Sequence, residues 1–354
     1  MKYLKEFENH SQYEEELFNL PRHNVSICDD ENGPVHYDEI INRTVTFIHV
    51  AEEGKEVPYF KNPGDIVKIY RDGVEMPHYI IPFDGVYGER KYEIVLAEGI
   101  TELPELFEHE SRQNIISLTT PIVITSIGNT ALKGLTGLTT FKHKNNLVSV
   151  GVNAFARTKI SEFDFSYIKN LGGLAFAETE LSGDIKLPMV ETIGASVFYG
   201  TNVETITIGN NLKELSDAAF AECASLNTVS ISGGTYTTLG SQTFSGCTLL
   251  QTVTVRGNYL TTIGENTFAS CENLKTLNII SKKLASINCS FADCNESFVM
   301  YVRSWNVPTL SVANAFGEPR EGLRIRVLRS RGDVYKAAEN WSTYADNIQA
   351  NLPR

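Results

Sequence analysis

The chain has 354 residues, 42% hydrophobic and 21% charged, the composition of a folded protein long enough for two or three domains or for one domain and a repeat array. Its formal net charge is −12 and no stretch gathers Lys and Arg into a basic stripe, which argues against nucleic acid as a ligand. No segment approaches the ~20 apolar residues of a membrane-spanning helix, and the six cysteines sit in a chain too large to depend on disulfides.

The opening MKYLKEFENHSQYEEELF places acids and amides where a secretory signal needs an unbroken apolar run, so the expectation is cytoplasmic synthesis without a signal peptide. Residues 11–18 read as a short helix with Ser11 as N-cap, Glu14 as its capping-box partner and Pro21 as its end. Residues 24–28 and 35–37 read as a hairpin turning at Asn32 and Gly33, and the acidic turn lacks the alternating oxygen ligands of a calcium loop. The runs TVTFIHV, DIVKIYRDGVEMPHYIIPF and KYEIVLA then look like strands, with Asp72 and Gly73 as a hairpin turn. This divides the front into a leader or docking segment at 1–42 and a small β domain at 43–110, joined to the rest of the chain by a segment near 99–118.

From about residue 120 one phrase returns, as in VSVGVNAFARTKI, TTLGSQTFSGCTLL and TTIGENTFASCENL. Its anchor is Leu132, Phe155, Phe176, Phe198, Phe220, Phe244, Phe268, Phe291 and Phe316, spaced by 21 to 25 residues. Five residues before the anchor stands an aliphatic such as Leu171, Leu239 or Ile263, usually followed by Gly or Ser, a small residue that allows a sharp turn. After it, apolar residues fall at plus six, nine and eleven, as in Leu250, Val253 and Val255, and the last two alternate with polar neighbours as a half-buried strand does. One such coil cannot bury its apolar face alone, so about nine coils must stack with their strands in a parallel ladder over 120–328. In LSGDIKLP, Asp184 and Lys186 fall where apolar residues belong, and a register slip or bulge is expected there. Cys223, Cys247, Cys271 and Cys294 recur three residues after the anchor, where Thr158, Thr179 and Thr201 stand earlier, and read as a ladder of buried thiols.

At the carboxyl end, Val334, Ala337, Ala338, Trp341, Ala345 and Ile348 share a helical face behind Asp333, so 333–350 reads as a capping helix over the last coil. Arg331, Gly332 and Asp333 spell an integrin-binding tripeptide, which loop plus N-cap also explains.

The pattern I-G-x-x-(A/T)-F-x-x-C-x-x-L-x-x-(V/L)-x-(I/V), met most fully from Ile263 to Ile279, resembles the BspA-like leucine-rich-repeat family of surface and secreted proteins of gut and oral bacteria. That resemblance implies a curved solenoid, adhesion or protein binding, and no cofactor. The segments MKYLKEFENHSQYEEEL and NVSICDDENGPVHYD are similar to leaders of repeat proteins of Bacteroides-type gut bacteria and their phages. The fold class expected is α+β, mainly β: a leucine-rich-repeat solenoid with a small N-terminal β domain and a C-terminal capping helix.

No nucleophile elbow, phosphate loop, metal-ligand spacing or paired His and acid is present, so neither catalysis nor a metal is expected. An enzyme with its site in the front domain is the distant alternative. On the ladder the outward positions are small and uncharged: Thr205, Thr207, Thr228, Ser230, Thr252, Thr254, Thr276 and Asn278. These could bind a protein or a glycan, or simply suit exposed strands. Tyr236 and Tyr259 serve either as surface anchors beside them or as packing. The working expectation is a recognition or structural protein whose front docks to a larger assembly or self-associates. Either it is a phage virion fibre or decoration protein, as the leader implies, or a bacterial surface adhesin, as the repeats imply.

Overall fold

A computed structural model describes residues 42–53, 58, 60, 63–76, 84–107, 113–143 and 147–353, with the backbone of Ser26–Asp29 and Gly33–His36. Those two strands pair antiparallel, as the hairpin pattern requires. The helix expected at 11–18 and most of the 1–42 segment lie outside the described residues.

Most repeats contribute a long strand and a two-residue strand, and both kinds stack in parallel. The long strands form an eight-stranded sheet: Ser182–Leu187, Asn202–Ile208, Thr228–Ile231, Thr252–Arg256, Thr276–Ile280, Val299–Val302, Arg324–Leu328 and Ile348–Leu352. Inward residues such as Val229, Val253 and Leu277 are wholly buried, as the period-two alternation demands. The short strands, centred on the aliphatic before each anchor, make a six-stranded ladder from Glu102–Leu103 to Glu214–Leu215 and a four-stranded one from Thr238–Leu239 to Thr309–Leu310.

The turn that carries the anchor closes each coil, and it too is stitched to its neighbour. The Phe155 amide donates to the Ala175 carbonyl at 2.8 Å, that of Phe198 to Ala219 at 2.9 Å, and that of Phe244 to Thr267 at 2.9 Å. Inside, the rings from Phe155 to Phe244 stack with centroids 5.1 to 5.8 Å apart and within 7° of parallel. Two residues per turn are left-handed, one two places before the anchor (Leu174, Ser196, Ala218) and one two places after (Glu178, Gly200, Glu222). The glycine after the aliphatic is needed for close stacking: a Cβ on Gly172 would meet the Val152 nitrogen at 2.5 Å, and one on Gly264 the Ser241 nitrogen at 2.6 Å. Its expected role in a sharp turn is therefore replaced by one in coil-to-coil approach.

The cysteines occupy the space beneath the rings. The thiols of Cys223, Cys247 and Cys271 donate to the carbonyls of Phe198, Phe220 and Phe244, one coil back, at 3.0 to 3.1 Å. Burial pushes the Cys223 thiol up to about 11 and that of Cys294 to about 12, so both stay protonated and inert at neutral pH.

The irregularity at LSGDIKLP is a bulge between Gly183 and Asp184. It seats Ile185 and Leu187 inside and leaves Asp184 and Lys186 exposed, so no charge enters the core.

At the front, a six-stranded sheet runs in the order Thr140–His143, Ile115–Thr120, Thr44–Ala51, Gly88–Leu96, Ile66–Arg71 and Val74–Glu75. Asp72 and Gly73, with φ of 51° and 81°, form its tight turn. Its two parallel strands, Ile115–Thr120 and Thr140–His143, lead into the coils, and Phe47, Tyr92 and Phe107 share one core with Leu132 and Phe155.

The helix expected over 333–350 is realised only as Gly332–Ala337; Ala338 is extended, Ser342–Asn347 is 3-10, and Ile348–Leu352 becomes the final parallel strand. Hydrogen bonding to the open edge of Arg324–Leu328 prevails over helical periodicity there. The lid is aromatic: Trp341 and Tyr344 lie 5.9 and 5.1 Å from the Phe316 ring, and the Trp341 indole donates to the Pro308 carbonyl at 2.7 Å. The tripeptide Arg331, Gly332 and Asp333 is bound into this lid, since Gly332 is buried and Arg331 donates to the Trp305 carbonyl.

Candidate binding face

The outward side chains of the long strands form two columns fixed by the sheet register. One runs Thr205, Thr228, Thr252, Thr276 and Val299 to Arg324. The other runs Thr207, Ser230, Thr254, Asn278 and Tyr301 to Arg326. All eight sequence-selected positions of the strands thus fall on one surface, at the ~4.8 Å spacing of adjacent strands. Thr207 is exposed and the other seven are half-buried. The Thr205 hydroxyl donates to Asp184 at 2.5 Å and that of Thr228 to Asn227 at 3.0 Å, which orients that end of the column.

The two tyrosines part company. Tyr236 is buried, and its hydroxyl donates to the Arg256 carbonyl of the next coil at 2.9 Å, so it packs between turns and offers no surface anchor. Tyr259 is 48% exposed, with the Lys283 ammonium 4.5 Å from its ring centroid. The pattern of small polar residues ends the face at Asn278, whereas the register carries it on to Tyr301, Arg324 and Arg326. The signal for that extension lies in VMYV and RIRVL, which repeat the alternation without a preceding Thr.

At the other end the segment 161–165 forms no strand, and an open cleft of about 510 Å³ lies there, lined by Phe163, Asp164, Phe165, Asp184, Lys186 and Thr207 among others. Chemically the columns from Thr205 to Asn278 can donate and accept hydrogen bonds but hold no group that titrates near neutral pH. Among the described residues no three of His, Cys, Asp and Glu are grouped to hold a metal ion, and no helix is long and apolar enough to cross a membrane.

The description "BspA type leucine rich repeat region" fits residues 104–189 and 175–297, in six copies. No curated protein matches the chain. Solved structures similar to it include a leucine-rich cell-surface protein from Faecalibacterium prausnitzii, at 13% identity and a TM-score of 0.32 over 73% of this chain and 87% of that one. A leucine-rich-repeat protein from Bacteroides ovatus is 16% identical, with a TM-score of 0.29 over 82% and 98% of the two chains. The pneumococcal vaccine antigen PcpA is 16% identical, with a TM-score of 0.28 over 72% and 84%. With its anchor phenylalanines stacked, its coils parallel and the family pattern matched over more than half of its length, the chain belongs to the BspA-type leucine-rich-repeat family.

Proposed function

We propose that the protein is a non-enzymatic recognition module whose long-strand face binds a partner, while the front of the chain docks it to a larger assembly. The observation that carries this reading is the register: eight small polar side chains on one sheet face, each held by a strand paired on both sides. A face ordered before binding loses little conformational entropy on contact. Changing Thr228, Thr252 and Thr276 together to Gln lengthens the column without adding charge, and should weaken partner binding while leaving the melting temperature unchanged. Wild-type affinity in that variant would make the face mere scaffold.

Docking is assigned to residues 1–42, whose sequence resembles the leaders of phage-encoded repeat proteins. On that resemblance the protein is a virion fibre or decoration protein; membership of the repeat family favours a bacterial surface adhesin instead. Mass spectrometry of purified virions separates the two, and deletion of residues 1–40 should abolish incorporation.

A further inference from the structure

Where the long strands of the last coils end, the turns gather positive charge that the linear sequence disperses. Segments 256–262, 280–286, 302–309 and 324–332 together hold eight Lys or Arg and no Asp or Glu, in a chain of net charge −12. Consecutive turns are stitched together: the Ser281 hydroxyl donates to the Leu260 carbonyl at 2.7 Å and that of Ser304 to Leu284 at 3.1 Å. Six of the eight cations, Arg256, Lys282, Lys283, Arg303, Arg329 and Arg331, therefore line one corner of the solenoid, Arg324 and Arg326 stand on the adjoining strand face, and none of the eight forms an ion pair with a described residue. Arg303 Nε, Arg326 Nε and the neighbouring Asn278 Oδ1 are buried without a hydrogen-bond partner among the described residues. Such unpaired groups, next to uncompensated charge, are costly unless something else supplies an acceptor for the two guanidinium N–H groups and a donor for the amide oxygen.

Aromatic side chains stand among the cations. Trp305 is 60% exposed with Lys282 Nζ 5.2 Å from its ring centroid, and the Arg326 guanidinium lies 5.4 Å from that of Tyr301. We propose that this corner binds an acidic polysaccharide, with the carboxylate or sulfate groups on Arg303, Arg326 and Lys282 and the neutral hydroxyls along the adjoining threonine columns. The inference rests on the strand-face reading for that second part only. Guanidinium groups suit oxyanions because their donors form a planar fork. Threonine hydroxyls both donate and accept, as a polyhydroxylated ligand requires. A bound peptide would find only side chains here, since the sheet's backbone groups are already paired and it presents a face rather than an edge. A single-stranded nucleic acid needs open ring faces for its bases, and Tyr259, Tyr301 and Trp305 each carry a cation over the ring.

The test is equilibrium binding of the full chain to polygalacturonate at low and at high salt, with neutral amylose, oligo(dT) and polyglutamate alongside. Binding to polygalacturonate that weakens with salt, exceeds binding to the other three and falls by about tenfold or more in an R303Q/R326Q/K282Q variant is the result expected. No binding at low salt, an unchanged affinity in that variant, or tighter binding of oligo(dT) or polyglutamate would overturn the proposal. The T228Q/T252Q/T276Q variant separates the two readings. If it binds polygalacturonate like wild type while the cation variant does not, the corner stands and the strand face falls; the reverse pattern sinks the corner and keeps the face.

Discussion

Each repeat is held by a few residues whose roles differ in how far the sequence discloses them. The anchor phenylalanines are legible because a large apolar side chain recurring every 21 to 25 residues has no other economical explanation than stacking. Phe268, 1% exposed, lies between the rings of Phe244 and Phe291, 5.7 Å from each. Phe268→Ala should cost about 3 to 5 kcal/mol in denaturant unfolding, the range for a buried aromatic. The left-handed residues are not legible, because Leu174 and Ala218 are ordinary residues that the stacked turn forces to positive φ. An L-residue there costs about 1–2 kcal/mol, and glycine returns part of that as chain entropy. Ala218→Gly should therefore stabilise by about 0.5–1 kcal/mol, read as a raised midpoint.

His49 is the clearest titrating residue in the front sheet. It is wholly buried with neither ring nitrogen partnered among the described residues, and desolvation lowers its pKa from 6.5 to about 4, partly opposed by Glu52. Between those values the unfolded chain binds the proton and the folded chain does not. The stability it contributes is thus complete above about pH 6.5 and lost as pH falls toward 4, by up to about 3 kcal/mol. A His49→Phe variant should show a flatter stability profile across that window; an identical profile contradicts the assignment.

At the scale of elements, the parallel ladder and the half-buried strands follow from alternation, and the bulge at Gly183 is foreshadowed by charges in the wrong register. The two-residue ladder on the second side is not, since pairs such as Thr262–Ile263 are too short to carry a period. The terminal helix falls short of its expected length for a related reason: Val334 to Ile348 has a helical stripe, but periodicity says nothing about the unpaired edge of Arg324–Leu328. That edge takes Ile348–Leu352 as its partner, and the aromatic lid covers Phe316. Removal of residues 329–354 should uncover both the edge and the ring, producing concentration-dependent self-association in sedimentation; a stable monomer would show that the lid is dispensable.

Across the whole molecule, residues about 23 apart in sequence become neighbours, and this decides what a linear reading can find. The threonine columns are accessible to it because the same residue type recurs at the same phase. The basic corner is not, because each turn contributes only one or two cations and no window of the sequence shows them together. The front strands and the coils likewise read as separate units, yet Thr44–Ala51 pairs directly with Ile115–Thr120, which pairs in turn with Thr140–His143.

The central claim is that this stacking holds the outward columns in a single register before any partner arrives. Amide hydrogen exchange of the free protein tests it most directly. Strong and uniform protection is expected through Thr228–Ile231, Thr252–Arg256, Thr276–Ile280 and Val299–Val302, approaching the global unfolding free energy. Rapid exchange in those strands, with protection confined to the front sheet, would contradict a preordered face.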